Sequence, residues 1–445
     1  MGSTTPDTRS TVPAGRPTTP ASRLPSLTGL RWIGAMLVFG FHVGTMHVIA
    51  DPGIKVVSDK VFTLGLSGVQ FFFILSGFVL VWSARPGERW RTFWRRRFAK
   101  IYPNHVVMWA VVLLFGLYLG RAHDPWVALT NLLLLQTWTP RLGWFYSINT
   151  VSWSLSCELF FYLCLPLALP LVRRARVGVL YGVVVAVPLL ILALWPAQHL
   201  LPAADRWWFT QVFPPVRSLE FWLGVAAGEL MARGRWRGPG LWPATGVFLA
   251  TWVGCATLVP AQLWTTLLAV AYILVIAAAA DADVRGARSP WRSRPMRWLG
   301  EVSFAYYLVH VFVVTTVLGQ LGRPRGFPGW WGPLAAVGFL LLNLALAALL
   351  HRFVETPMMR LLGPRRRPAP AGRSAGSTPA AAAVSPPEPH SVAAQSPSAR
   401  PVVVESPGSR PVVVESPGSR LVAAESPGSP SVPSPRRAAD PLPLP

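Results

Sequence analysis

LTGLRWIGAMLVFGFH, Leu27 to His42, opens an apolar span placed at 30–50, and it carries Arg31 at one end and His42 near the middle of that span. Going from Arg31 to His42, a helix turns through about 1100°, three full turns and about 20° more, and rises about 16.5 Å. The two polar side chains therefore share one helix face. A charge at bilayer depth costs about 2.5–3.5 kcal/mol on insertion scales, so such groups face a bundle interior or a wet cavity. From this stretch alone the pair reads as a pore lining, a core contact or a reactive site.

Working outward, apolar runs of about 20 residues recur from Leu30 to the region of Leu350, which is the hydropathy signature of a polytopic membrane protein. With 52% hydrophobic residues and 21 Trp among 445, composition alone would also suit a large globular enzyme. The distribution of those residues decides for an all-α membrane bundle of about ten helices. Spans are expected near 30–50, 61–83, 101–120, 150–171, 177–195, 215–232, 241–259, 262–280, 299–319 and 330–350. Arg-rich connections follow the second, fourth, sixth, eighth and tenth of these, so the positive-inside rule places both termini in the cytoplasm. The same clustering explains the net charge of +23 as an orientation signal and argues against nucleic-acid binding. Cys157, Cys164 and Cys255 all lie in apolar runs without metal or disulfide spacing, and no metal is expected.

Two segments break the pattern. Trp126–Trp138 is too short to cross and would upset the parity, so it is expected as a half-inserted or interfacial helix on the outer side. The loop from Trp195 to Pro215 also faces outward, with Trp207 and Trp208 read as an interfacial belt in preference to a substrate entrance. Residues 1–26 read as a disordered cytoplasmic leader ahead of an uncleaved anchor, 27–361 as the membrane domain and 362–445 as a disordered tail. Within that tail a ten-residue unit recurs over 400–429, RPVVVESPGS twice and then RLVAAESPGS; with a proline in each unit and no aromatic, it does not suit a packed solenoid.

Four further polar clusters lie at or inside helix ends. In GVQFFFILSGFVL, Gly68–Leu80, the small Ser76 and Gly77 allow a neighbouring backbone to approach, and packing alone would explain them. RRRFAKIYP, Arg95–Pro103, puts Arg97 and Lys100 on one face where the third span meets the cytoplasm, as a polyphosphate clamp or as a topological anchor. TVSWSLSCELFFYL, Thr150–Leu163, places Glu158 about one and a half turns into the fourth span with no basic residue within a turn on its own helix. Its carboxylate needs a partner from elsewhere or a proton. In GEVSFAYYLVH, Gly300–His310, the residues Ser303, Tyr307 and His310 form one stripe, and HRFVETPMMR sets Glu355 and Pro357 at the cytoplasmic boundary.

Taken together and in this order, these motifs resemble the bacterial integral-membrane acyltransferase type three family, over roughly residues 27–361. The carriers are the Arg followed after ten residues by His, GVQFFFILSGFVL, the basic RxxR region, WSLSCELFFYL, SFAYYLVH and VETP. The resemblance implies a multi-pass protein of the bacterial plasma membrane that moves an acyl group from acyl-CoA, acetyl-CoA being the expected co-substrate, to a hydroxyl of a carbohydrate, glycolipid or secondary metabolite. His42 would then be the general base, or itself carry the acyl group, with Glu158 orienting it. Arg31, Arg97 and Lys100 would hold phosphate or pantetheine groups, and Ser76, Ser303, Tyr307 and His310 would line the cavity. Lys100 stands where the family more often has Arg, which keeps the charge and loses the planar fork. The rival from another class is a transporter or flippase for a lipid-linked or small hydrophobic substrate. Inverted repeats would favour it, and the membrane region has no clear internal repeat.

Overall fold

The computed structural model describes residues 24–84, 87–323 and 326–363. Residues 1–23, the tail from 364 with its ten-residue repeats, and Arg85, Arg365, Arg366 and Arg367 of the basic connections lie outside the described residues. The described chain is an all-α polytopic bundle, with one isolated bridge between Ile49 and Phe327 and no strand.

The first helix, α1 (Pro25–Thr45), begins and ends five residues earlier than the span expected at 30–50. Its start has a physical cause. Pro25 sits in the first turn, where a missing N–H is harmless. Ser26 donates from its backbone N and its Oγ to the Asp283 carboxylate, at 2.7 and 2.8 Å, so a distant acid caps the helix. Beyond Thr45 the chain turns through His47 in a left-handed conformation, φ 54°. This shift moves His42 from the expected mid-span position into the last turn of α1.

The next segment also divides differently from expectation. α2 (Pro52–Phe62), capped by the Asp51 carboxylate on the Ile54 N–H at 3.0 Å, stops short of α3 (Ser67–Ser83). The helix α4 (Trp90–Tyr118) runs for 29 residues, so the basic run Arg95–Lys100 lies within the helix and not at its start. Trp126–Trp138 is short, as expected: α5 (Pro125–Leu132) has 8 residues, a single 3-10 turn covers Gln136–Trp138, and α6 (Leu142–Phe145) follows. The connection returns to α7 (Trp153–Arg174), and α8 (Val177–Ala197) leads to α9 (Ala203–Gln211) in the Trp-rich loop. Both indoles there are tied to their own chain, Trp207 Nε1 to the Tyr146 hydroxyl at 3.0 Å and Trp208 Nε1 to the Thr137 carbonyl at 2.8 Å. The remaining helices are α10 (Pro214–Ala232), α11 (Leu241–Thr257), α12 (Ala261–Val284), α13 (Arg294–Gln320), α14 (Trp331–Leu350) and α15 (Thr356–Leu362). A single π turn, His351–Glu355, joins the last two.

Among the described residues, eight helical stretches are long and apolar enough to cross a membrane. α10, with Arg217, Glu220 and Glu229 in it, and α11, with 17 residues, occupy the other two expected spans and fall short by charge and by length. Close helix crossings carry the interior. A Cβ on Gly77 of α3 would come within 2.0 Å of the Phe221 carbonyl, and one on Gly224 of α10 within 1.9 Å of the Ile74 carbonyl, so the two backbones meet directly. The same device joins α1 to α13, where Gly300 faces the Thr28 carbonyl. Around this centre, α4, α7, α8 and α14 turn apolar side chains such as Leu114, Leu167, Val185 and Leu341 outward, as lipid requires.

Candidate active site

A cavity of about 440 Å³ lies between α1, α3, α4, α7 and α13. Of the nine residues singled out from the sequence, seven line it: Arg31, Ser76, Arg97, Lys100, Glu158, Ser303 and Tyr307. Its walls also carry Ser154, Tyr162, Arg297 and Glu301. The exposed residues among these, Arg297 and Glu301 at the start of α13, adjoin the Arg-rich connection that follows α12, while Ser303 and Tyr307 further along α13 are buried. The cavity thus runs inward from the basic end of the bundle.

Its cations are in different states. Arg31 and Arg97 have no ion pair among the described residues, and the Nε of each is shielded from solvent without a hydrogen-bond partner. The Arg97 guanidinium lies over the Phe93 ring at 5.8 Å. Each guanidinium presents fixed N–H donors of the kind that suit carboxylate or phosphate oxygens. Lys100 differs, since its ammonium touches the Glu355 carboxylate.

Glu158, read from the sequence as needing a partner from elsewhere or a proton, has a hydrogen-bond partner on its own helix: the Tyr162 hydroxyl donates to its Oε2 at 2.9 Å, one turn along α7. Arg31, Arg97 and Lys100 are all within electrostatic reach of this carboxyl group across the cavity. α1 and α7 both line this cavity. Ser76 and Gly77 divide the two readings of their motif: Ser76 lines the cavity, and Gly77 gives α10 its close approach. Ser303 spends its hydroxyl on the Gly300 carbonyl at 2.8 Å. The Tyr307 hydroxyl bonds Ser154 Oγ at 2.9 Å and the Val151 carbonyl at 3.1 Å, which pins α13 to the start of α7.

His42 and His310 stand outside that lining and in contact with each other, His310 Nε2 lying 3.2 Å from His42 Nδ1. The pairing partner of His42 is therefore His310, and no hydrogen bond joins it to Glu158. The surrounding carbonyls fix the tautomers. His310 Nδ1 is 2.7 Å from the Tyr307 carbonyl, so it carries a proton and leaves Nε2 as an acceptor. His42 Nδ1 is 2.9 Å from the Val38 carbonyl, so it too carries a proton, shared toward His310 Nε2. By elimination, His42 Nε2 holds the free lone pair. The Tyr306 ring, stacked on His310 at 8°, and Phe39 hold the second imidazole in place.

Sequence reasoning missed Tyr162, Ser154, Arg297 and Glu301. For Tyr162 a signal existed, its i+4 spacing from Glu158. The other three are recognisable only once α7 and α13 are known to flank the same space. No group of His, Cys, Asp and Glu among the described residues has the arrangement of a metal site.

Comparison with known proteins places these features in context. The acyltransferase domain family known as Acyl_transf_3 matches residues 24–352. Acyltransferase MdmB of Streptomyces mycarofaciens is 40% identical over 369 residues, covering 78% of this chain and 94% of that protein. Exopolysaccharide production protein ExoZ of Rhizobium meliloti is 27% identical over 325 residues, 71% of this chain and 96% of its own. Peptidoglycan O-acetyltransferase OatA of Listeria monocytogenes is 24% identical over 374 residues, 76% of this chain and 56% of its own. No solved structure matches.

Proposed function

The chain belongs to the Acyl_transf_3 family of membrane acyltransferases, and from that premise we propose that it moves an acyl group, acetyl in the first instance, from acyl-CoA to a hydroxyl of a carbohydrate, glycolipid or secondary metabolite. The observation that carries this reading is the contact of His42 with His310, which stands one helical turn beyond Tyr307 of a cavity that also holds the Arg31 and Arg97 guanidiniums.

Each part has a chemical task. Arg31 and Arg97 hold phosphate oxygens of the donor, which brings the thioester along α1 toward His42. The acceptor hydroxyl gives its proton to His42 Nε2 as its oxygen attacks the thioester carbonyl. The imidazolium that forms is stabilised at Nδ1 by the Val38 carbonyl and by the His310 lone pair. The C–S bond then breaks, and the thiolate of CoA leaves with the proton from His42. His310 is in this scheme a positioning residue whose Nε2 lone pair joins the Val38 carbonyl in orienting His42 Nδ1–H and in steadying the imidazolium. Glu158 serves the other end, as the fixed negative charge around which Arg31, Arg97 and Lys100 are arrayed.

Purified protein incubated with radiolabelled acetyl-CoA and a panel of sugars, glycolipids and polyhydroxylated metabolites tests the reading. Label is expected to move to a hydroxyl of an acceptor, and His42→Ala is expected to abolish the transfer while leaving a folded, membrane-inserted protein. Unchanged turnover in His42→Ala would sink it. Label retained on the wild-type protein after acceptor is withheld would instead select the covalent version, in which His42 itself carries the acyl group.

A further inference from the structure

Glu355 plays no part in the chemistry just described, yet it is the only buried residue between His351 and Gly363, with no accessible surface at all. Burying a carboxylate there needs compensation. Its environment supplies it from three directions: Lys100 Nζ meets Oε1, Asn104 Nδ2 donates to Oε2 at 2.8 Å, and His351 Nδ1 approaches Oε1 at 3.3 Å. Lys100 and Asn104 are one turn apart on α4, and His351 is one turn before Glu355, so the carboxylate is gripped from two helices.

The backbone explains how it gets there. α14 widens into the single π turn His351–Glu355 before α15 resumes regular winding. A π turn is an inserted residue in an α-helix, and such turns concentrate at functional sites. Without it, each side chain beyond would be carried about 100° round the axis, and the carboxylate would leave α4. The distortion therefore has one visible product, the contact between Glu355 and Lys100 at the wall of the cavity.

Resting on the reading of that cavity as the donor site, we infer that Glu355 is a positioning residue for Lys100: it fixes an ammonium on a flexible stem where it meets the phosphate-bearing end of the donor. An ammonium has three N–H donors. One is used by Glu355, and the others remain for the ligand. The planar guanidiniums of Arg31 and Arg97 are pre-organised in a way that a flexible ammonium is not. The carboxylate also cancels one of the positive charges gathered at the cavity, which keeps three cations together when no anion is bound.

The test is a double-mutant cycle on donor binding, read by titrating CoA into the purified protein in detergent. Glu355→Gln is expected to weaken CoA binding about tenfold when Lys100 is present. In the Lys100→Met background the same change is expected to have no further effect, and Lys100→Met/Glu355→Gln is expected to melt at a higher temperature than Lys100→Met, whose carboxylate is left unpaired. Equal weakening in both backgrounds, or none in either, overturns the inference. If Glu355→Gln alone does not purify folded, the comparison of Lys100→Met with Lys100→Met/Glu355→Gln decides: equal affinity supports it, and a further loss in the double variant overturns it. Arg97→Ala in the same assay separates the two levels. Unchanged CoA binding there removes the donor reading itself, whereas a loss at Arg97 without coupling between Lys100 and Glu355 removes only this inference.

Discussion

On the proposed reading His42 is the base, and the main-chain carbonyls beside the two imidazoles make the histidine pair separable by experiment. His310→Ala leaves His42 Nε2 and its Val38-fixed tautomer in place but removes the lone pair that steadies the imidazolium at Nδ1, so kcat is expected to fall about 10–100-fold, ~1.4–2.7 kcal/mol, with the donor KM unchanged. A fall in donor affinity of the same size would place His310 in binding instead. Arg31→Ala and Arg97→Ala are expected to act the other way, each weakening CoA binding about tenfold with acceptor affinity intact. Equilibrium binding of CoA and of acceptor, measured separately, checks that order. At this scale the sequence was legible wherever spacing along one helix carried the message. Arg31 and His42 came from twelve residues of α1, and Ser303, Tyr307 and His310 from one stripe of α13. It was silent on partners across helices. Nothing in either stretch states that His310 meets His42, or that Lys100 meets Glu355, because those contacts depend on how the helices cross.

Helix crossings are set by small residues, and the α3–α10 pair shows how little room they leave. Gly77→Ala and Gly224→Ala each push a methyl group onto a main-chain carbonyl of the partner helix, at 2.0 and 1.9 Å before relaxation. Each is expected to destabilise the folded protein by about 1–3 kcal/mol and to lower its melting temperature in detergent. Gly182→Ala on α8, with open space around the new atom, is the matching control and is expected to leave the melting temperature unchanged. The existence and order of the long helices could be read from apolar runs, whereas their ends could not. α1 starts early because Asp283, more than 250 residues along the chain, caps Ser26, and the third expected span starts early because Arg and Lys stems continue the helix of α4 beyond the apolar run. The π turn before α15 leaves no mark in hydropathy at all.

At the scale of the whole molecule, the family match ends at 352, and the described cavity is complete by Glu355. Removing residues 364–445 is therefore expected to leave CoA binding and acyl transfer unchanged; loss of transfer with the membrane domain still folded would give the tail a part in the reaction. Orientation has its own test. Single cysteines placed in the connection after α12 and in the loop before α14 are expected to react with an impermeant reagent from opposite faces of the membrane, the first from the cytoplasm. Labelling of both from one face would reverse the topology read from the Arg-rich connections. α1 then sets a distance. On the proposed reading, Arg31 as anion holder and His42 as base lie about 16.5 Å apart along one helix, which makes α1 a ruler that a donor has to match at both ends. An acyl group on a short carrier, such as acetyl phosphate, can engage Arg31 or reach His42, never both, and a truncated thioester is expected to lose kcat as well as affinity.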